Sequence, residues 1–287
     1  MSALANCSGR SFVAPARSDS ACFQGLKRLG WFAITVPLVS GVVSFLLSLL
    51  PILDHLSWWM LFRRCVSIVA ASALVVLARR DPQHCSPRAL GLGEFRKGRG
   101  PAVFGVAVAF GIVLLILGGY LASGVCRISI HPDTARVVRV VLTFLPIAVL
   151  VSVLEELVFR GFVLQQLLSC SRVAALVLSS LAYALVHMRT RWLWPDTALE
   201  IGGLFLLGVV LSLSYFRTQQ LYLAIGLHAG FAYWGRATKL LIEFTVPSLQ
   251  WLTGTGRLIN GLVAWLALVM LGLAIWRSPA QRTTLKT

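Results

Sequence analysis

The stretch VLEELVFRGF, Val153 to Phe162, sets two adjacent glutamates and an arginine inside a run that is otherwise almost wholly apolar. An ionised side chain at the centre of a lipid-facing helix costs about 2.5–3.5 kcal/mol, so three unpaired ones would cost roughly 8–10 kcal/mol. That is comparable to the stability of a whole domain. The three must therefore turn inward and find partners. Spacing identifies the first pairing. Glu156 and Arg160 are four residues apart, on one helical face, with the acid on the amino-terminal side, the better orientation for an ion pair. Glu155 lies about 100° around the helix, away from Arg160, and is left free for chemistry.

Composition places this stretch in a membrane. Of 287 residues, 57% are hydrophobic and only 13% are charged, whereas a soluble domain of this length carries about 25% charge. Several windows of about 20 predominantly apolar residues match a hydrocarbon core about 30 Å thick. Eight spans are predicted: Trp31–Leu53, Trp58–Ala78, Pro101–Ala122, Val137–Leu168, Arg172–Met188, Thr197–Phe216, Gln220–Leu241 and Arg257–Trp276. The fourth covers 32 residues, about 48 Å of helix at 1.5 Å per residue. It is expected to tilt, to bend at Pro146 or to break near Gly161. The expected fold is all-α, a polytopic transmembrane helical bundle. A polar tail at 1–30 precedes a single transmembrane domain at 31–276, and a basic tail follows at 277–287.

The formal charge of +16 is not a nucleic-acid footprint, because the basic residues sit mainly in short connections and tails. The expected surroundings are a lipid bilayer, with no nucleic acid. The loop Arg79–Gly100 carries Arg79, Arg80, Arg88, Arg96, Lys97 and Arg99. Both termini are expected to share the cytoplasmic face with it, bringing Arg10, Arg17, Lys27, Arg28, Arg277, Arg282 and Lys286 to the same side of a multi-pass cell-membrane protein. Trp58, Trp59, Trp192, Trp194, Trp251 and Trp276 lie near span ends, as interfacial aromatics do. The six cysteines show neither CxxC nor zinc spacing and read as unpaired thiols and packing residues. Oligomeric state has no signal in the composition.

Glu155 needs a partner, and the next span supplies one. The turn SCSR, Ser169–Arg172, closes a helical hairpin centred near Ser171. Glu155 is sixteen residues back from that point and His187 sixteen residues forward, so equal rise on antiparallel helices puts both at one height. A second intramembrane histidine, His228 in GLHAGFAYW, lies near the middle of the seventh span. Ionisable groups from three spans at one depth point to function, since such residues inside membranes usually do. His55, His84 and His131 fall in loops and are expected to be solvated.

These residues resemble a known family. EELVFRG, Glu155–Gly161, matches the EExxxR signature of the CPBP intramembrane proteases, which include CAAX prenyl endopeptidases and bacteriocin-processing or immunity proteins. YALVH, Tyr183–His187, is similar to their FxxxH motif, with tyrosine for phenylalanine. FLLG, Phe205–Gly208, is similar to a weaker third motif, and HAGFA, His228–Ala232, to the last one. The resemblance runs from Val137 to Trp234, within a catalytic core of about 137–241. It implies an intramembrane endopeptidase that hydrolyses a peptide bond in a membrane-associated protein or peptide. Glu155, with His187, would bind and deprotonate the water. Glu156 paired with Arg160 would orient the site, and His228 would donate to the oxyanion. The family often has asparagine four residues after the last histidine, where this chain has Ala232. One such donor is worth about 10²–10³ in rate.

No cofactor is expected. A divalent metal such as zinc, held by Glu155, His187 and His228, is the alternative, but HExxH is absent and no ligand pair shares an i, i+4 face. Arg160 beside the carboxylates would also compete with a cation. Two other readings stay open. One is a catalytically impaired CPBP-fold protein acting as a binding or immunity factor, which Ala232 favours. The other is a proton-coupled transporter, although no inverted repeat is present. The substrate is open among prenylated peptides, bacteriocin leaders and transmembrane segments.

Overall fold

A computed structural model describes residues 19–53, 55–187, 196–254 and 258–278. Helix α1 spans Asp19–Ser48, α2 Trp58–Arg80, α3 Pro82–Cys85 and α4 Phe95–Ala122. Strand β1, Cys126–Ile128, leads to α5, Thr134–Glu156. A π-helical segment, Leu157–Val163, continues α5 into α6, Leu164–Leu168. Then come α7 (Arg172–His187), α8 (Asp196–Thr218), α9 (Tyr222–Leu241), β2 (Ile242–Phe244), α10 (Gln250–Thr253) and α11 (Leu262–Arg277).

The helical bundle agrees with the expected fold. Among the described residues, five helical runs are long and apolar enough to cross a membrane: α1, α2, α4, α8 and the continuous run Thr134–Leu168. Helices α7 and α11 are apolar but shorter, so the expectation of eight full spans is not established by helix length. Helix α1 begins at Asp19, inside what was expected to be a tail ending at residue 30. The chain before Asp19, Trp192, Trp194, Arg257 and the residues after Ser278 lie outside the described residues. Trp58, Trp59, Trp251 and Trp276 are exposed at the ends of their helices.

Local chemistry explains the individual elements. Ser57 caps α2 by accepting from the Met60 N–H, and Asp133 caps α5 by accepting from the Arg136 N–H. Within α1, the buried Ser40 and Ser44 donate to the carbonyls of Val36 and Ser40, which satisfies their hydroxyls in an apolar setting. Ile34, Leu38 and Val42, four residues apart on α1, are exposed. Such an apolar stripe suits lipid, not water.

The overlong fourth segment resolves the expected choice in favour of a change near Gly161. The helix passes through Pro146 and widens into π geometry over Leu157–Val163, a form frequent at functional sites. Gly161 lies against Leu90, whose carbonyl oxygen would be 3.0 Å from an added Cβ. The basic loop therefore folds inward: Leu90 and Cys85 are buried, and Gly91 C=O accepts from the Leu221 N–H. His84, expected to be solvated, is exposed in α3, with its Nδ1 2.8 Å from Asp81 Oδ1.

Two contacts were not foreseen. Cys22 and Cys170 form a disulfide between α1 and the α6–α7 turn, correcting the reading of all six cysteines as unpaired. The two are 148 residues apart, and no local spacing marks such a pair. Cys65, Cys85 and Cys126 are free and buried. Strands β1 and β2 form a short antiparallel ribbon, with Arg127 opposite Glu243 and 2.9 Å between their charged groups.

Helix α9 carries the last histidine and packs against both α4 and α5. Its approach to α4 uses small residues. A Cβ on Gly105 would come within 2.7 Å of backbone at Leu223 and Leu227, and one on Gly226 would press closer still on Ala102. Small residues at such crossings let backbones come close and gain van der Waals contact where lipid offers no hydrophobic drive.

Candidate active site

The five candidate residues converge. Glu155 and Glu156 end α5, Arg160 stands on the π segment, His187 ends α7 and His228 lies on α9. Arg160 Nη1 is 2.8 Å from Glu156 Oε1, and both side chains are fully buried. Arg160 Nη2 donates to Gly208 C=O on α8 at 3.1 Å. The same carbonyl accepts from Ser212 Oγ at 2.9 Å. A buried guanidinium needs such added acceptors, because one ion pair does not offset the loss of hydration of two charges.

The other carboxylate meets imidazoles. His187 Nε2 lies 3.0 Å from Glu155 Oε2, and His228 Nε2 lies 3.5 Å from the same oxygen. His228 Nδ1 is 2.8 Å from Glu156 Oε1. One imidazole thus bridges the neighbourhood of both glutamates.

Hydrogen-bond partners assign the protons. His187 Nδ1 is 2.8 Å from Tyr183 C=O, which can only accept, so Nδ1 carries a hydrogen. If neutral, the ring then has a lone pair at Nε2, facing a carboxylate oxygen. The 3.0 Å contact with Glu155 therefore requires a proton held between the two groups. His228 Nδ1 donates to Glu156 in the same way. Its Nε2 is 3.3 Å from the Tyr183 hydroxyl, which can accept or donate there according to the ring's second proton.

Two cavities meet at this cluster. One of about 650 Å³ is lined by Glu155 and His187 together with apolar side chains of α1 and α2, among them Phe32, Val36, Trp59 and Phe62. The other, about 320 Å³, is lined by His187, His228, Tyr183 and Ala232, with Arg236 and Lys239 also on its wall. His187 borders both.

Sequence reasoning missed four contributors. Gly208 was quoted within a weak motif without a role, and its carbonyl holds Arg160. Tyr183 was read as a variant of phenylalanine, yet its hydroxyl reaches His228. Arg236 and Lys239 line a cavity beside the cluster, and no motif covers them. For zinc, among the described residues no group of three or more His, Cys, Asp or Glu side chains is arranged to hold a metal ion. The histidine nitrogens are instead engaged with carboxylate oxygens and with Tyr183.

A bundle of apolar helices around a buried acid–base cluster that borders two cavities defines a helical membrane protein with a polar centre. The family model of the type II CAAX prenyl endopeptidase Rce1-like proteins matches residues 137–234, about a third of the chain, and this region holds all five clustered residues. The match supports the likeness to CPBP-family proteases that the motifs implied. No curated protein and no solved structure matches the chain.

Proposed function

We propose that this protein is a multi-pass intramembrane endopeptidase that uses Glu155 as the base for a hydrolytic water. The observation that carries the reading is the 3.0 Å contact between Glu155 and His187, the residue that borders both cavities. With His187 as imidazolium, Glu155 is a carboxylate able to take a proton from water as the resulting hydroxide attacks the scissile carbonyl. The tetrahedral oxyanion is met by hydrogen-bond donors, among them His228 when its Nε2 also carries a proton. The proton on Glu155 then passes to the leaving amine as the C–N bond breaks. General-base assistance of this kind contributes about 10²–10⁴ in rate.

Glu156 and Arg160 hold His228 from behind and do not themselves meet the substrate. The two cavities suit a substrate with an apolar part beside α1 and α2 and a peptide part beside α9. By its family resemblance, a peptide ending in a prenylated CAAX sequence is the first substrate to test. A metal-free mechanism is the version proposed, because the nitrogens and oxygens a metal would need bond to one another.

The test uses the full chain in nanodiscs and a fluorogenic peptide ending in a prenylated CAAX sequence. Wild type is expected to cleave it, and Glu155→Gln to remain folded without cleaving. Equal activity in the Gln variant rules out this base. Activity retained after exhaustive chelation supports the metal-free version, and loss restored by zinc reverses it.

A further inference from the structure

We propose that the Tyr183 hydroxyl is a catalytic hydrogen-bond donor that completes, with His228, the pocket receiving the oxyanion. This deepens the hydrolytic reading above and rests on it.

Tyr183 lies one helical turn before His187 on α7 and is almost completely buried. Its ring is fixed on three sides. Phe159 meets it edge-on at 5.3 Å, the Arg160 guanidinium lies 4.6 Å from its centre, and the His187 ring is 4.4 Å away. A ring held this way leaves its hydroxyl one soft motion, rotation of O–H about the C–O bond. The oxygen sits 3.3 Å from His228 Nε2, and both residues line the 320 Å³ cavity.

The geometry of the cluster points to this hydroxyl. With Nδ1 engaged by Glu156, His228 has only Nε2 left for the reaction space, 3.3 Å from the Tyr183 oxygen and 3.5 Å from Glu155 Oε2. It can donate to an oxyanion only as imidazolium. A tetrahedral intermediate is best held by preorganised donors that need no proton uptake first. Tyr183 is such a donor: rotation of its O–H turns the hydrogen from His228 Nε2 toward a nearby oxyanion. On α9 the residue one turn beyond His228 is Ala232, which borders the same cavity and has no donor to offer. The hydroxyl on α7 supplies what the methyl on α9 cannot.

Tyr183→Phe tests this with little disturbance, since it keeps the ring and its three neighbours and removes a single oxygen. Wild type, Glu155→Gln, Tyr183→Phe and Tyr183→Phe/Ala232→Asn are compared in nanodiscs on the prenylated CAAX peptide and on its unprenylated counterpart. Tyr183→Phe is expected to lose about 10²–10³ in kcat, with KM within about threefold and an unchanged melting temperature. Adding Ala232→Asn places an amide on the same cavity wall and is expected to recover at least tenfold of the loss.

A Tyr183→Phe enzyme with kcat within twofold of wild type, beside an inactive Glu155→Gln, overturns the inference and leaves the base assignment standing. A kcat loss with a matching fall in melting temperature overturns it as well, because the hydroxyl would then serve packing. So does a loss that asparagine at 232 does not relieve. Wild type inactive on both peptides, or Glu155→Gln fully active, overturns the hydrolytic reading and the inference with it.

Discussion

His187 Nε2 stands 3.0 Å from Glu155 Oε2, joining two helices through one proton. Replacing His187 by Phe keeps the ring contacts with Tyr183 and Phe159 and removes both nitrogens. Glu155 then loses its proton partner. Hydrolysis of the prenylated peptide is expected to fall by about 10²–10⁴ while substrate binding persists. Single-turnover kinetics separate the two effects, and unchanged turnover would contradict the pairing.

Arg160 and Glu156 form a buried pair whose members are unequal to remove. Arg160→Met leaves a carboxylate uncompensated in the bundle and is expected to destabilise by about 3–5 kcal/mol. The double variant Glu156→Gln/Arg160→Met, with no residual charge, is expected to unfold at a higher temperature than Arg160→Met alone. Thermal unfolding in detergent, followed by tryptophan fluorescence, gives the order. The reverse order would contradict the pair's burial.

Gly208 lies against Ser180 so closely that an added Cβ would be 2.9 Å from its Cα. Gly208→Ala must push α8 from α7 and carry the carbonyl that Arg160 uses away from it. The expected cost is about 1–3 kcal/mol of stability, with a fall in activity larger than any change in expression. Comparison with Gly111→Ala is the control, since nothing stands within 4 Å of a Cβ there.

The Cys22–Cys170 bridge ties α1 to the turn of the catalytic hairpin. Reduction is expected to lower stability by about 2–4 kcal/mol in wild type and not in Cys22→Ser. Melting curves with and without reductant, with mass-tagging of thiols, check both halves. Equal melting temperatures would show that α1 is held by packing alone.

Asp81 gives the basic end of the bundle a pH dependence. A hydrogen bond from His84, foremost, and the charges of His84 and Arg28 hold its carboxyl below the usual aspartate range, against the opposing effect of burial. The folded state therefore favours the carboxylate. Its contribution is complete above the unfolded pKa of about 3.9 and is lost as pH falls through the lower folded value. Wild type is expected to lose more stability than Asp81→Asn between pH 6 and pH 3. Parallel melting-temperature profiles of the two proteins would contradict this.

What the sequence determined by itself were relations carried by one helix or one hairpin. Helical twist put Arg160 over Glu156, and equal rise on either side of Ser171 put His187 at the level of Glu155. These distances follow from fixed backbone geometry, so residue spacing states them. Tertiary structure alone decided which groups from separate segments share a proton or an acceptor. His228 reached Glu156 because α9 packs against α5, Gly208 offered its carbonyl because α8 crosses beside the π segment, and Cys22 met Cys170 across most of the chain. Such contacts depend on how helices cross and how closely their backbones approach, and no spacing within a single segment encodes either quantity.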